Sequence, residues 1–362
     1  MLLSLASLSG RRLLELASRH PTAEACLEAV RRGEAGSAAD REAARALDGA
    51  SLALAVEAAG ARLVAVGDPE YPQELLDLPD PPAGLFVRGG DLRALSPRVA
   101  VVGARSCTPY GREVAALLGG ALAAAGVCVV SGGARGVDAA AHQGALGAGG
   151  PTLAVLGCGV DVAYPAANAA LLRRVAEAGA VVSEYPPGVR AEPFRFPARN
   201  RVVAGLARGV VVVEGAAGSG SLITVDHAVE LGREVFAVPG PVTSELAAVP
   251  LGLIREGATL IRGPDDLLAD LGLDREGHAQ GQGRPAPAAS SQEALHGLPA
   301  TGAPLSEAER GVLGLLSGPT VPDAVAAALG LSLQEVTALL VGLELRGLVR
   351  QSGGRYERRV GP

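Results

Sequence analysis

The residues able to do chemistry in this 362-residue chain gather in a few short stretches. The apolar run Val127 to Val130 is followed by Ser131-Gly132-Gly133-Ala134-Arg135-Gly136, then by Val137-Asp138 and an Ala-rich run through His142. Buried strand, glycine turn and helix start, in that order, can hold an anion. The first helical amides lack partners, the helix dipole adds partial positive charge, and glycines let a phosphate approach the main chain. A plain glycine turn in any α/β domain reads the same way, so this loop alone decides nothing.

A second stretch runs from Arg190 to Arg201 and carries four arginines (Arg190, Arg195, Arg199, Arg201) against one glutamate, Glu192. It also holds Asn200 and two of the four phenylalanines, Phe194 and Phe196. Arginine forks bind phosphates through paired hydrogen bonds and aromatic faces stack unpaired bases, the combination that single-strand binding uses. The same residues also fit two core phenylalanines at a helix start with arginines on a solvated face. Smaller polar groups recur at other strand ends: Gly103-Ala104-Arg105, Gly157-Cys158-Gly159, Ser183-Glu184-Tyr185, and Glu214 with Ser219-Gly220-Ser221. Glycine loops and helix N-termini converging on one edge favour a polyanion site over any single-loop reading. His142 follows Asp138 by one helical turn, so a hydrogen bond between them that fixes the loop is expected.

The elements that position these groups follow a strand, helix, strand rhythm from Arg98 onward. Strands are expected at 99–102, 127–130, 152–156, 180–183, 209–213, 234–238 and 258–261, with helices at 111–125, 138–146, 165–177, 201–206, 221–231 and 264–270. Crossover-length connections predict an α/β fold with a doubly wound, mostly parallel sheet. Residues 1–48 alternate Leu and Ala with Arg and Glu and predict a small helical domain. Its Leu8-Ser9-Gly10-Arg11-Arg12 turn reads as a helix–helix turn, with a helix-hairpin-helix DNA contact as the alternative. Residues 52–98, with Leu63–Val66 strand-like and Gly84-Leu85-Phe86-Val87-Arg88-Gly89 at the end, form a proline-punctuated lead-in to the domain at 52–272. Residues 273–304 are rich in Gly, Pro, Ala, Ser and Gln and read as a flexible linker. Residues 305–362 order three helices and a small hairpin, as in a winged helix; the third, Ser332–Arg346, has no arginine before Arg346, which favours a protein contact over DNA reading.

Composition excludes several classes. The chain has no lysine, so Walker-A chemistry is absent, and a net charge of −6 confines any nucleic-acid contact to a local arginine patch. Cys26, Cys107, Cys128 and Cys158 show neither a disulfide framework nor zinc-ligand spacing. Neither glycine loop supplies a full dinucleotide fingerprint, and no GxSxG elbow or telling carboxylate pair occurs. No stretch of about 20 apolar residues and no export signal is present, which predicts a cytoplasmic protein without a membrane contact, cofactor or metal.

The ordered motifs Tyr71-Pro72, Gly84 to Gly89, Val102-Gly103-Ala104-Arg105, Tyr110-Gly111, Ser131 to Asp138 with His142, Tyr164-Pro165, Ser183-Glu184-Tyr185-Pro186, Phe196-Pro197-Ala198-Arg199-Asn200-Arg201, Val213-Glu214 with Ser219 to Thr224, and Val238-Pro239-Gly240 resemble the DprA/Smf family. The resemblance spans about residues 60 to 270 and implies an extended Rossmann-like domain. It further implies a non-enzymatic protein of natural transformation and recombination that binds single-stranded DNA, loads RecA in place of single-strand-binding protein, and dimerises through that domain. Carried onto matching positions, it makes Gly103, Arg105, Ser131, Gly132, Gly133, Ala134, Arg135, Gly136, Arg195, Arg199, Asn200 and Arg201 the strand-contacting set, with Phe194 or Phe196 for base stacking. Asp138, His142, Glu184, Glu214, Ser219, Gly220 and Ser221 would fix the loops. The sequence departs from the family where Val249-Pro250-Leu251-Gly252 replaces a Ser-x-Gly-Asn element, and wherever relatives use lysine. Two other readings are a Rossmann-like nucleotide phosphoribohydrolase, for which Glu214 to Thr224 offers a faint likeness, and a protein-binding adaptor.

Overall fold

A computed structural model describes residues 2–5, 8–273, 306–316, 318, 320–332, 335–337, 339–340, 343, 348–352 and 355–358. The chain divides into two compact units, residues 1–280 and 281–362.

The first unit opens with four helices, α1 (Gly10–Arg19), α2 (Ala23–Arg32), α3 (Ala38–Ala46) and α4 (Gly49–Ala58). Ser9, Thr22, Ser37 and Asp48 start them by accepting first-turn amides on their side chains. Leu8, Leu13, Leu16, Leu27 and Val30 give the first three a core of their own. α1 nevertheless docks on the Pro79–Pro82 segment: a Cβ at Gly10 would lie 1.9 Å from the Pro81 carbonyl, and the Arg11 amide donates to Asp80 at 2.7 Å.

The main body follows in chain order as β1 (Arg62–Ala65), β2 (Gly84–Gly89), β3 (Arg98–Val102), α5 (Pro109–Ala124), β4 (Cys128–Ser131), α6 (Val137–Gly147), β5 (Thr152–Leu156), α7 (Ala169–Ala178), β6 (Ala180–Ser183), α8 (Arg195–Leu206), β7 (Gly209–Val212), α9 (Ser221–Glu230), β8 (Glu234–Ala237), α10 (Ala248–Arg255), β9 (Thr259–Leu260) and α11 (Pro264–Asp270). The strands form one sheet in the order β1-β2-β6-β5-β4-β3-β7-β8-β9. β1, β2 and β6 pair antiparallel and all other neighbours pair parallel. The segment read as a lead-in is therefore a two-stranded antiparallel extension of the sheet.

Each central strand is buried on both faces, and its alternate residues serve different helix layers. Ala100, Val102, Val130, Val155 and Val212 pack with Val202, Val203 and Leu206 of α8. Val99, Val101, Val129 and Val211 pack with Leu118, Leu122 and Ala141 of α5 and α6. Those two helices touch backbone to backbone, because a Cβ at Gly119 would stand 2.2 Å from the Ala141 carbonyl oxygen. Strand order reverses between β3 and β7, so the carboxyl ends of those strands flank the crevice where a doubly wound sheet binds ligands.

In the second unit, α12 (Glu307–Leu315) starts at a capping box in which the Glu309 amide donates to Ser306 at 3.2 Å and the Ser306 amide donates to Glu309 at 2.7 Å. α13 (Pro322–Leu329) follows, residues 335–337, 339, 340 and 343 are helical, and β10 (Val349–Ser352) pairs antiparallel with β11 (Arg355–Arg358). Val312, Leu316, Val325, Val336, Leu340, Leu343 and Tyr356 form its core. The remaining positions of the expected third helix, the linker at 274–304 and the Gly353-Gly354 pair lie outside the described residues.

Candidate functional site

At the reversal point the loops after β3, β4 and β7 and the first turns of α8 and α9 enclose a cleft of about 350 Å³. Gly103, Arg105, Gly132, Ala134, Asp138, Phe196, Arg199, Asn200, Ser219, Gly220 and Ser221 all line it. Ser131, Gly133, Arg135, Gly136, Phe194, Arg195 and Arg201 are not among its lining residues.

The loop after β4 is wired inward. The Gly132 and Ala134 amides donate to the Asp138 carboxylate at 3.1 and 3.3 Å, and Asn168 Nδ2 donates to the Gly133 and Ala134 carbonyls at 3.0 and 3.1 Å. Ser131 is fully buried and its hydroxyl donates to the Val101 carbonyl at 2.7 Å. Two of the amides expected to meet a phosphate thus already meet a carboxylate. A side chain at Gly132 would collide with that arrangement, since its Cβ would stand 2.5 Å from Arg199 Nη2 and 2.7 Å from Asp138 Oδ2.

Two further expectations need correction. His142 does not bond Asp138: its Nδ1 donates to Thr152 Oγ1 at 2.7 Å, because that hydroxyl already donates to the Val129 carbonyl at 2.8 Å. His142 is wholly buried, and desolvation pulls its pKa down to about 4. Nor do Arg199 and Arg201 form a solvated basic patch. The expected helix at 201–206 begins at Arg195, with Pro197 tolerated in its first turn, and this turns both side chains inward. Arg199 is 5% exposed, and its Nη1 donates to the carbonyls of Gly132, at 2.8 Å, and Val155. Burial pushes the Asp138 carboxyl up and lowers Arg199, while the charge of each favours the charged form of the other. Arg201 donates twice to Glu184, at 2.5 and 2.7 Å, and lies 3.8 Å from Asp80, the residue that also receives the Arg11 amide.

Arg105 behaves differently. It is exposed, lies 5.3 Å over the Phe196 ring, and has no acidic partner among the described residues. Phe196 also meets the Tyr164 ring at 5.1 Å. Phe194 is 65% exposed, with the Arg195 guanidinium over its ring at 5.3 Å and over Tyr185 at 5.1 Å. Sequence reasoning overlooked Tyr164 as a partner of Phe196, although its adjacency to Pro165 had marked the motif. Across the cleft, Asn200 Nδ2 donates to the Gly220 carbonyl at 3.1 Å, and the Ser219 and Ser221 hydroxyls lie 2.9 Å apart. The first turn of α9 lines the cleft, with the Ser221 amide donating to Ser219 Oγ at 3.4 Å, and its helix dipole adds partial positive charge to that wall. At α6 the Val137 amide donates to the Ala104 carbonyl at 3.2 Å and Asp138 stands in the first turn, so that terminus is already occupied. The arrangement suits a phosphate-bearing ligand.

Glu214, on which the phosphoribohydrolase reading rests, faces a separate open recess with Tyr110 and Pro239. Its carboxylate accepts the Thr108 amide at 2.8 Å and the Thr108 hydroxyl at 2.5 Å, and so holds in place the residue that caps α5. Among the described residues no His/Cys/Asp/Glu group is placed to hold a metal, and no helix is long and apolar enough to cross a membrane.

A family model for DNA recombination-mediator protein A matches residues 62–272, and a model for the DprA winged helix domain matches residues 296–355. The putative DNA processing protein DprA of Mycobacterium tuberculosis is 40% identical over 348 residues, 90% of this chain and 85% of that one. The DNA processing protein DprA of Streptococcus pneumoniae is 45% identical over 201 residues, 55% of this chain and 71% of that one. The X-ray structure of the Streptococcus pneumoniae protein matches with a TM-score of 0.65 at 36% identity, covering 74% of this chain and 95% of that one. The DNA processing protein A of Helicobacter pylori, described for its single-stranded DNA binding mode, matches with a TM-score of 0.51 at 30% identity, covering 56% of this chain and 92% of that one. Fold, motif order and both matched segments agree: the chain belongs to the DprA/Smf family of DNA processing proteins.

Proposed function

We propose that the cleft holds the sugar-phosphate backbone of single-stranded DNA, without cutting it. The observation that carries this reading is Arg105, an exposed guanidinium with no acidic partner among the described residues, held against Phe196 in a cleft that the first turn of α9 also lines. Those groups attract phosphates, and Phe194, two residues from Phe196 and exposed, offers a ring face to an unpaired base. Arg199 positions the glycine loop and Arg201 anchors α8; direct strand contacts fall to Arg105, Asn200 and the Ser219–Ser221 turn, which line the cleft. The wider role we infer is that of a cytoplasmic homodimer that brings RecA to incoming strands coated with single-strand-binding protein. Its support is the family membership and the single-strand binding described for the Helicobacter pylori relative.

Fluorescence anisotropy with labelled single and double strands tests the cleft. Wild type is expected to prefer single strands and to weaken as salt rises, because bound phosphates release counterions. Arg105→Ala is expected to lose about tenfold in affinity, the order of one charge-assisted contact. Equal affinity of wild type and Arg105→Ala for single strands would refute the assignment.

A further inference from the structure

A smaller recess of about 190 Å³ opens between β2, α7 and the loop after β5. Arg88 of β2 and Arg173 of α7 line it, over walls that include Val160, Val162 and Leu172. Neither guanidinium has an acidic partner among the described residues, whereas Arg62, Arg98, Arg201 and Arg262 each find a carboxylate. Asp161 also lines the recess, but both its oxygens accept the Gly188 amide, at 2.9 and 3.0 Å, and two guanidinium charges face this one carboxylate. The recess admits a phosphate with part of its sugar; it is too small for a folded partner.

Two contacts tie it to the cleft. Leu172 packs on Gly133, whose Cβ would meet its Cδ2 at 3.2 Å, and the neighbours of Gly133 line the cleft. Tyr164 follows the recess residues Val162 and Ala163 in the same loop, is 45% exposed, and stacks on Phe196 of the cleft. An exposed ring thus stands between two cationic hollows.

We propose that a single strand held in the cleft continues over Tyr164, with a base on that ring, and that Arg88 and Arg173 hold a phosphodiester in the recess beyond it. The inference rests on the reading of the cleft as a single-strand site. Labelled oligothymidylates of increasing length, titrated into the full chain at several salt concentrations, test it. Wild-type affinity is expected to step up once the oligomer outgrows the cleft. Arg88→Gln with Arg173→Gln should remove that step, weaken long oligomers about five- to tenfold, and lower the salt slope by about 0.7 for the one phosphate no longer held. Tyr164→Leu should weaken the same long oligomers, and the double arginine variant should bind short ones as wild type does. An unchanged step and slope in the double arginine variant overturn the proposal, as does an equal loss on short oligomers. Arg105→Ala reads the cleft separately: it should weaken short and long oligomers alike, and if it weakens neither, the cleft assignment falls and this extension with it.

Discussion

Replacing Arg199 with methionine should cost the chain its stability before it costs affinity. The guanidinium is buried, donates to two main-chain carbonyls and compensates the equally buried Asp138. Removing one partner of a buried charged pair costs about 3–5 kcal/mol, because the other charge is stranded in a low dielectric. The lost charge-assisted hydrogen bonds belong to that same figure and are not added to it. Against a usual domain stability of about 5–15 kcal/mol this is a large share. Adding Asp138→Asn removes the stranded charge, so the double variant should be more stable than the sum of the single losses by about 1–3 kcal/mol. Two compact units make a single unfolding transition unsafe to assume. The assay is therefore hydrogen exchange read on peptides covering residues 127–142, combined with strand binding by anisotropy. The reasoning is refuted if Arg199→Met keeps wild-type protection there yet loses single-strand binding as Arg105→Ala does, since the guanidinium would then act on the ligand.

Arg105→Ala, by contrast, should leave exchange protection within about 0.5 kcal/mol of wild type, as surface substitutions do, while the salt slope of single-strand binding falls by about 0.7. His142 makes stability pH-dependent. With its folded pKa at about 4 and its unfolded value near 6.5, the unfolded chain binds more protons between those limits, so stability falls as pH drops through that window. The loss reaches at most about 3 kcal/mol below pH 4; Asp138, raised on folding, contributes in the opposite direction, so the measurement is the difference between urea-unfolding profiles of wild type and His142→Gln, and equal profiles would remove the effect. Gly119→Ala inserts a methyl where α5 touches α6 and should cost about 1–3 kcal/mol, visible as a lowered melting temperature with strand affinity preserved in the folded protein.

The sheet was legible in the sequence because its central strands are unbroken apolar runs, and Val99 to Val102 or Gly209 to Val213 have no other use in a chain of this length. β1 and β2 were harder to read: prolines at 69, 72, 79, 81 and 82 break the pattern between them, and pairing across that distance leaves no local periodicity. At the site, the clustering of the glycine loop, Arg105, Asn200 and the Ser219–Ser221 turn follows from their places at strand ends. The fates of Arg199 and Arg201 do not. A solvated arginine and a clamped one have identical local sequences, and they differ only in whether acceptors from elsewhere, the Gly132 and Val155 carbonyls for Arg199 or the Glu184 carboxylate for Arg201, arrive beside them. One signal was present: a helix begun at Arg195 places Arg199 on the same face as Val202, Val203 and Leu206. Pro197 reads equally as a breaker or as a first-turn residue, which concealed it. His142 was misassigned for a related reason, because helical spacing proposes a neighbour on the same element while Thr152 comes from an adjacent strand.

The carboxylate that Asp138 lends to the Gly132 and Ala134 amides has a kinetic meaning as well as a structural one. A glycine loop that waits for its ligand must be ordered at each encounter, and that ordering entropy is subtracted from the affinity. Here the chain supplies an internal anion, and Asn168 and Arg199 tie the loop's carbonyls to neighbouring elements, so its shape is set before any strand arrives. What remains to be ordered on contact is a few long exposed side chains, Arg105 among them. Docking onto such a floor resembles closing a hand on a rail more than folding around a rope, and it is what the single-strand grip proposed for this cleft would call for.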